Sequence, residues 1–172
     1  MKGKRRTASP RRDRGGLEWV KKRPLPIVNV LIADSEKASR NAATRVIQSM
    51  RGMRIVGEAR TGHEAVSATA RLKPRVVLLD LQLSSEFGAS LISVLRRKSA
   101  RTRVILLVGR ASEERILEAF SHGAVGCVEK KHIARLLPKA LEAVASGEAW
   151  MSRTLIPKIV DRLAVFTERK KK

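Results

Sequence analysis

The sequence predicts an α/β fold, in which helices cover both faces of a doubly wound parallel sheet. Apolar runs alternate five times with segments of helical periodicity between residues 27 and 147, which is the pattern of repeated strand–helix units. The runs at 76–79 and 104–108 are continuously apolar, as in strands that are buried on both faces. Aromatic residues make up only 3% of the chain. The core is therefore aliphatic, which favours α/β over a β-sandwich.

The predicted sheet has five strands and forms the middle layer of a three-layer sandwich. Strands are expected where aliphatic and β-branched residues cluster, at 28–33, 53–57, 75–80, 103–108 and 123–128. Right-handed crossovers place helices on both faces of the sheet. With the strand order 2-1-3-4-5, the crevice for ligands lies between the carboxyl ends of the first and third strands.

Capping residues and glycine or proline positions predict where the helices begin and end. Asp34 and Ser35 can cap the first helix, and Thr61 and Glu64 have the spacing of a capping box at the start of the second. Pro138 suits only the first turn of a helix, so the fifth helix is expected to start late. The predicted helices cover 37–51, 63–72, 88–98, 112–120 and 134–146, with a short sixth helix at 155–164 and a loop at 81–88.

The positive charge of the chain is densest in its first residues. The formal net charge is +21, and residues 1–26 hold ten basic residues against two acidic ones. We therefore expect a disordered basic extension at 1–26, a folded domain at 27–147, and a linker helix with a basic tail at 148–172. Such a chain binds polyanions non-specifically at low salt. Residues 1–24 are the candidate contact with nucleic acid.

Composition also excludes several classes of protein. The single cysteine, Cys127, cannot form a disulfide within the chain, and no apolar run reaches the 18 residues of a membrane span. The basic first residues are not followed by the apolar core of a signal peptide. We expect a cytoplasmic protein that does not enter the membrane.

Three charged residues follow alternate strands of the predicted sheet. Asp34 follows the first strand, Asp80 ends the third and Lys130 follows the fifth. Asp80 alone could be a helix cap. The fold, however, brings all three to one edge, where two carboxylates suit a hard divalent cation and the ammonium group suits a phosphoryl group.

The sequence motifs around these residues resemble the response-regulator receiver domain of the chemotaxis-regulator-like (CheY-like) superfamily, whose sheet is flavodoxin-like. The resemblance covers residues 27–147, and its motifs are Val30–Asp34, Val76–Leu81, Gly123–Gly126 and Lys130. Residues 147–152 and the apolar helix after them further resemble the linker of the nitrate-responsive, LuxR-type subfamily. In that subfamily a helix-turn-helix domain usually follows, whereas this chain ends at Lys172.

The resemblance implies a role for each matched residue. Asp80 becomes the phospho-acceptor and Lys130 its partner. Asp34, Asp80 and the backbone carbonyl of Gln82 become the Mg²⁺ ligands. The expected partner is a sensor histidine kinase or phosphotransfer protein of a bacterial two-component phosphorelay, and homodimers are a further expectation. Such a protein is a signalling switch rather than an enzyme, apart from its own phosphorylation and dephosphorylation.

The sequence departs from the family at three positions of this site. Ser35 stands where the family has a second acid, and Glu36 beside it is expected to point elsewhere. Val108 replaces a hydroxyl residue at the end of the fourth strand, and Cys127 replaces an aromatic residue in the fifth. We therefore expect weak Mg²⁺ binding and a weakened switch.

Two other interpretations remain open at this point. One is a phosphorylation-independent pseudo-receiver, which acts as an interaction module with a polyanion-binding basic arm. The other is a truncated remnant of a DNA-binding regulator.

Overall fold

The structure, a computed structural model, describes residues 27–85, 87, 90–153 and 155–161. Its centre is a parallel sheet of five strands in the order β2-β1-β3-β4-β5, which confirms the predicted fold class and strand order. The strands are β1 (Val28–Ala33), β2 (Met53–Ala59), β3 (Val76–Asp80), β4 (Arg103–Val108) and β5 (Ala124–Glu129). The helices are α1 (Lys37–Ser49), α2 (Gly62–Leu72), α3 (Ser90–Lys98), α4 (Glu113–Ser121) and α5 (Ile133–Ser146).

The helices form two layers because successive side chains of a strand point to opposite faces of the sheet. One face packs against α1 and α5, and its core includes Ile32, Leu78 and Leu107. The other face packs against α2, α3 and α4, and its core includes Leu79 and Leu106. All five residues of β3 are buried. The central strand therefore holds Asp80 on a support that is packed from both sides.

Several predicted element boundaries are wrong by a few residues. The second strand continues to Ala59, and residues 81–85, predicted as loop, form a 3₁₀ turn. The cap of α1 is Glu36, whose side chain makes no capping hydrogen bond. Neither Asp34 nor Ser35 is therefore the cap, because the Asp34 carboxylate is used at the sheet edge instead.

Pro138 lies inside α5 rather than in its first turn, so the predicted late start of this helix is also wrong. The proline costs one backbone hydrogen bond, because its nitrogen has no proton to donate. Burial of Ile133, Leu137 and Leu141 against the sheet outweighs that loss. Gly147 ends the helix with a φ of 105°, a conformation that glycine adopts without strain.

The segment after α5 runs along the edge strand β5. The Trp150 backbone accepts a hydrogen bond from Cys127 N–H at 2.8 Å and donates one to the Val125 carbonyl at 2.9 Å. Residues 155–161 are helical, in line with the predicted sixth helix, and Ile159 is buried in the core beneath. The predictions for residues 1–26 and 162–172 lie outside the described residues. None of the described helices is long and apolar enough to cross a membrane.

Candidate functional site

Three strand ends bring Asp34, Asp80 and Lys130 together at one edge of the sheet. Asp34 follows β1, Asp80 is the last residue of β3, and Lys130 begins a short turn after β5. The Lys130 Nζ lies 3.0 Å from Oδ1 of Asp34 and 3.1 Å from Oδ2 of Asp80. Lys130 thus bridges two carboxylates that are almost wholly buried, with exposures of 0% and 1%.

The Asp34 carboxylate is held by hydrogen bonds from its own side of the sheet. Its Oδ1 accepts from the Glu36 backbone N–H at 2.8 Å and from the Lys130 ammonium. Its Oδ2 accepts from the Ser39 hydroxyl at 2.6 Å. Both oxygens have donors, so the orientation of this carboxylate is fixed.

The two carboxylate oxygens of Asp80 differ in their hydrogen bonds. Its Oδ1 accepts from the Gln82 backbone N–H at 3.0 Å. Its Oδ2 is buried and has no hydrogen-bond partner, and it lies 3.1 Å from the Lys130 ammonium as an ion pair. Oδ2 is therefore the oxygen that is free to react or to bind.

The pKa of Asp80 is raised above its ordinary value of 3.8. Burial is the largest cause, since it disfavours the charged form, and the negative charge of Asp34 acts in the same direction. The Gln82 N–H and the Lys130 ammonium oppose the shift without cancelling it. Burial, together with the second carboxylate nearby, therefore makes the negative charge of Asp80 costly.

For Lys130, burial alone would lower the pKa, but the contacts with the Asp34 and Asp80 carboxylates and their negative charges outweigh burial and raise it. The ammonium group therefore stays charged at neutral pH. The Glu36 Oε2 also lies 3.2 Å from the Lys130 Nζ. The expectation that Glu36 points elsewhere is thus wrong, because the chain turns between β1 and α1 and brings this carboxylate back to the edge.

Arg40 is a residue of this site that the sequence analysis missed. It is only 5% exposed, and its Nη1 donates to the backbone carbonyls of Asp34 at 2.9 Å and Ser35 at 3.0 Å. Its Nε also pairs with Glu58 at 3.3 Å. The guanidinium group therefore fixes the turn that carries Asp34. A lone arginine among the inward-facing positions of α1 was the available signal, and α1 buries Ser39, Arg40, Ala43, Val46 and Ile47.

A cavity of about 520 Å³ runs along the same edge of the sheet. Its lining includes Ser35, Gln82, Arg60 and Arg115, and Arg115 donates to the Leu81 carbonyl at 3.3 Å. Ser35 thus sits at the mouth of the site. The described residues contain no group of three or more His, Cys, Asp or Glu side chains that could hold a metal ion. A cation here would depend on two carboxylates, a carbonyl oxygen and water.

The other two departures from the family lie on the helix α4 side of the sheet. Val108 is 3% exposed and packs in the core with Ile116 and Leu117. Cys127 is half-buried. Both line a second cavity of about 550 Å³, which the Trp150 and Met151 segment borders. Neither side chain is hydroxylic or aromatic, so neither can form the contacts that the family has at these positions.

Cys127 is expected to resist alkylation. Burial, with a smaller contribution from the Glu129 carboxylate, raises the pKa of its thiol from 9.0 to about 12. Since the thiolate is the reactive form, iodoacetamide at pH 8 should react about a thousandfold more slowly than with an unshifted thiol. Intact mass against time measures the rate, and the chain in guanidinium provides the reference. Equal rates in the folded and unfolded chain would show that the thiol is accessible.

Asp80→Asn is expected to stabilise the fold at pH 7. The pKa of Asp80 is raised in the fold, so its protonated form contributes stability at low pH, and that contribution is lost as pH rises through the raised pKa. Asparagine does not ionise, so the variant does not undergo this loss of stability. The stability difference between variant and wild type should be largest at neutral pH and should shrink below about pH 4. Urea unfolding at both pH values measures it, and a variant that is less stable at pH 7 would contradict the prediction.

Comparison with known proteins places this geometry in a family. The model of the response regulator receiver domain matches residues 30–142. The nitrate/nitrite response regulator NarL of Escherichia coli (strain K12) is 30% identical over 128 residues, covering 74% of this chain and 59% of NarL. The chain spans about 60% of the length of the first curated relatives that it matches.

Solved structures share the fold. A crystal structure of a LuxR-family two-component response regulator from Aurantimonas sp. SI85-9A1 has a TM-score of 0.69 at 25% identity, covering 80% of this chain and 99% of that one. The signal receiver domain of NarL from Mycobacterium tuberculosis has a TM-score of 0.66 at 26% identity, covering 72% and 99%. With these likenesses and the receiver model matched from Val30 onward, the chain belongs to the receiver domain family of two-component response regulators.

Proposed function

We propose that Asp80 accepts a phosphoryl group and that the switch which follows is weakened. The observation that carries the proposal is the buried Oδ2 of Asp80, which has no hydrogen-bond partner and lies 3.1 Å from the Lys130 ammonium. A carboxylate oxygen in this state keeps its lone pairs for bond formation. Receiver domains generally interact with histidine kinases or phosphotransfer proteins.

The chemical step is an in-line displacement at phosphorus. Oδ2 of Asp80 attacks the phosphorus of a phosphohistidine on the partner, an oxygen–phosphorus bond forms, and the phosphorus–nitrogen bond breaks. The electron pair of the broken bond stays on the histidine ring. Lys130 remains charged because its pKa is raised, so it can pair with the oxygens of the transferred group. Hydrolysis of the resulting acyl phosphate returns Asp80 to its starting state.

Receiver domains generally bind Mg²⁺ at their acidic pocket. In this chain Asp34, Asp80 and the backbone carbonyl of Gln82 would hold the ion, and such oxygen ligands suit it. When bound, Mg²⁺ supplies positive charge that offsets the charge of the phosphoryl group. Ser35 gives no third carboxylate at the mouth of the site, so we expect weak binding.

The weakened switch rests on Val108 and Cys127. A hydroxyl at the end of β4 could hydrogen-bond a phosphoryl oxygen and pull the following loop toward it. Val108 has only methyl groups, and these are already packed in the core. Cys127 lacks the bulk of a ring that could change position with that loop. Phosphorylation of Asp80 would then leave α4 nearly where it is.

Intact mass spectrometry after incubation with a small-molecule phosphodonor tests the proposal. We expect slow, partial addition of one phosphoryl group to the wild type, more with Mg²⁺ than without it, and none to Asp80→Asn. Asp34→Asn serves as a matched control that keeps the acceptor but removes a metal ligand, and it should be slower than the wild type. Addition that persists in Asp80→Asn would overturn the assignment, and rapid complete addition would overturn the expected weak Mg²⁺ site.

A further inference from the structure

A group of arginines lies at the amino-terminal edge of the sheet, opposite Asp80. We call it the arginine edge, and it consists of Arg75, Arg96, Arg97, Arg101 and Arg103. Arg75 precedes β3 and Arg103 begins β4, and a backbone hydrogen bond of 3.0 Å joins the two. Arg96 and Arg97 belong to the last turn of α3, and Arg101 lies between α3 and β4. The α3–β4 connection and the start of β3 thus bring guanidinium groups to one place.

These side chains surround two adjoining cavities. One, of about 310 Å³, is lined by Arg75, Arg96, Arg101 and Arg103 together with small residues. The other, of about 320 Å³, shares Arg96 and adds Arg97. No aspartate or glutamate lines either cavity. The space between the arginines is therefore open, positively charged and free of carboxylates.

Among the described residues, few contacts offset the positive charge of the arginine edge. Arg103 donates to the Gly147 carbonyl at 2.9 Å and Arg75 to the Arg101 carbonyl at 3.4 Å. These hydrogen bonds fix the positions of the two guanidinium groups but do not neutralise their charges. None of the ion pairs among the described residues involves the arginine edge. The Arg103 Nε is also buried without a hydrogen-bond partner.

The dipole of α3 explains only part of the arrangement. Basic residues in the last turn of a helix are favourable there, since a helix carboxyl end carries about half a negative charge. This accounts for Arg96 and Arg97. It does not account for Arg75, Arg101 and Arg103, which lie outside the helix. The half negative charge of the helix end cannot neutralise several guanidinium groups, so the surface stays strongly positive.

The basic first residues of the chain join the fold at this same edge. In a parallel sheet every strand starts at one edge, and β1 begins at Val28. The Arg75 backbone donates to the Asn29 carbonyl at 2.9 Å, so the start of β1 lies beside the arginine edge. The segment 1–26, which holds ten basic residues, therefore joins the described fold beside the arginine edge.

We propose that the arginine edge binds the phosphate backbone of double-stranded nucleic acid without sequence preference. Guanidinium groups pair with phosphates through a fixed fork of donors, and an extended basic surface suits a repeating row of phosphates. Single-stranded nucleic acid is disfavoured, because no aromatic residue lines either cavity for base stacking. The surface lies away from Asp80, so binding is independent of phosphorylation and goes beyond the proposed receiver function.

The test measures binding of the full chain to a fluorescent DNA duplex over a range of salt concentrations. The edge variant is R96Q/R97Q/R101Q, in which all three residues are exposed. The control variant R45Q/R135Q/K139Q removes the same charge from exposed positions of α1 and α5. Thermal unfolding followed by circular dichroism verifies that both variants are folded. A second, unrelated duplex and a single strand of equal length complete the set of probes.

We expect the edge variant to bind the duplex about tenfold more weakly, or weaker still, at a fixed salt concentration. The slope of the logarithm of the association constant against the logarithm of the salt concentration should flatten by about two to three, since each phosphate contact contributes about 0.9. The control variant should keep the slope within about one unit of the wild type. The two duplexes should bind equally. Equal losses in both variants would show that net charge alone acts and would overturn the proposal. Tighter binding of the single strand would overturn it as well.

Asp80→Asn should leave duplex binding unchanged. The outcome of the nucleic-acid test is thus separate from that of the phosphorylation test, and either proposal can fail without the other.

Discussion

Lys130→Met is expected to destabilise the fold by about 3 kcal/mol at pH 7, because it leaves two buried carboxylates without a counter-charge. Lys130 lies 3.0 Å from Asp34 and 3.1 Å from Asp80, and its own side chain is only 14% exposed. Methionine keeps most of the side-chain volume, so the loss reports the charge rather than a cavity. Equilibrium urea unfolding measures the change.

Two further variants separate the charge effect from other causes. Lys131→Met removes the neighbouring lysine, which is 70% exposed and, among the residues that the structure describes, pairs with Glu129 alone. It should cost less than about 0.5 kcal/mol. The double variant Lys130→Met/Asp80→Asn should recover part of the loss, since one uncompensated charge is gone. Equal costs for the two lysines would show that Lys130 does not neutralise the site.

Ser35→Asp is expected to speed Mg²⁺-dependent phosphorylation of Asp80 about tenfold, since an added charged ligand strengthens cation binding. Ser35 is exposed and lines the cavity beside the site, so the new carboxylate needs no repacking. The same change should lower the Mg²⁺ concentration at which the rate is half-maximal. Intact mass against time, over a series of Mg²⁺ concentrations, gives both quantities.

Ser35→Asn is the matched control, because it has the shape of aspartate without the charge. It should phosphorylate at the wild-type rate. A rate for Ser35→Asp that is no faster than for Ser35→Asn would mean that the missing carboxylate does not limit the site. Glu36, which reaches Lys130 at 3.2 Å, would then be the residue to substitute next.

The elements around Asp80 could be predicted from the sequence because their signals are local and strong. A buried parallel strand requires a continuous apolar run, and residues 76–79 provide one. The start of α2 was equally clear, since the Thr61 hydroxyl accepts from the Glu64 N–H at 3.1 Å. This is one half of the predicted capping box, and the Glu64 carboxylate accepts from the Arg60 N–H instead. The placement of Asp34, Asp80 and Lys130 at one edge then follows from the strand order.

Other features depend on packing that a local pattern does not contain. The start of α5 was misplaced because tertiary burial of Ile133 and Leu137 overrides the cost of Pro138. The role of Arg40 was missed because it depends mainly on two backbone carbonyls, and the sequence does not show which carbonyls a buried arginine contacts. The direction of the Glu36 side chain depends on the backbone conformation of the turn between β1 and α1. Four of the five members of the arginine edge are close in sequence, but the fold is needed to bring Arg75 beside them.

Hydrogen exchange of the β4–α4 region tests the central claim most directly, namely that the phosphoryl site of Asp80 is uncoupled from α4. The sample is the full chain with Mg²⁺, with and without the phosphoryl mimic beryllofluoride, and the readout is exchange by mass spectrometry over residues 109–121. The account predicts protection near residues 80–85 and no change over 109–121 in the wild type, with a change appearing in Val108→Thr. A clear change over 109–121 in the wild type, absent in Asp80→Asn, would contradict it.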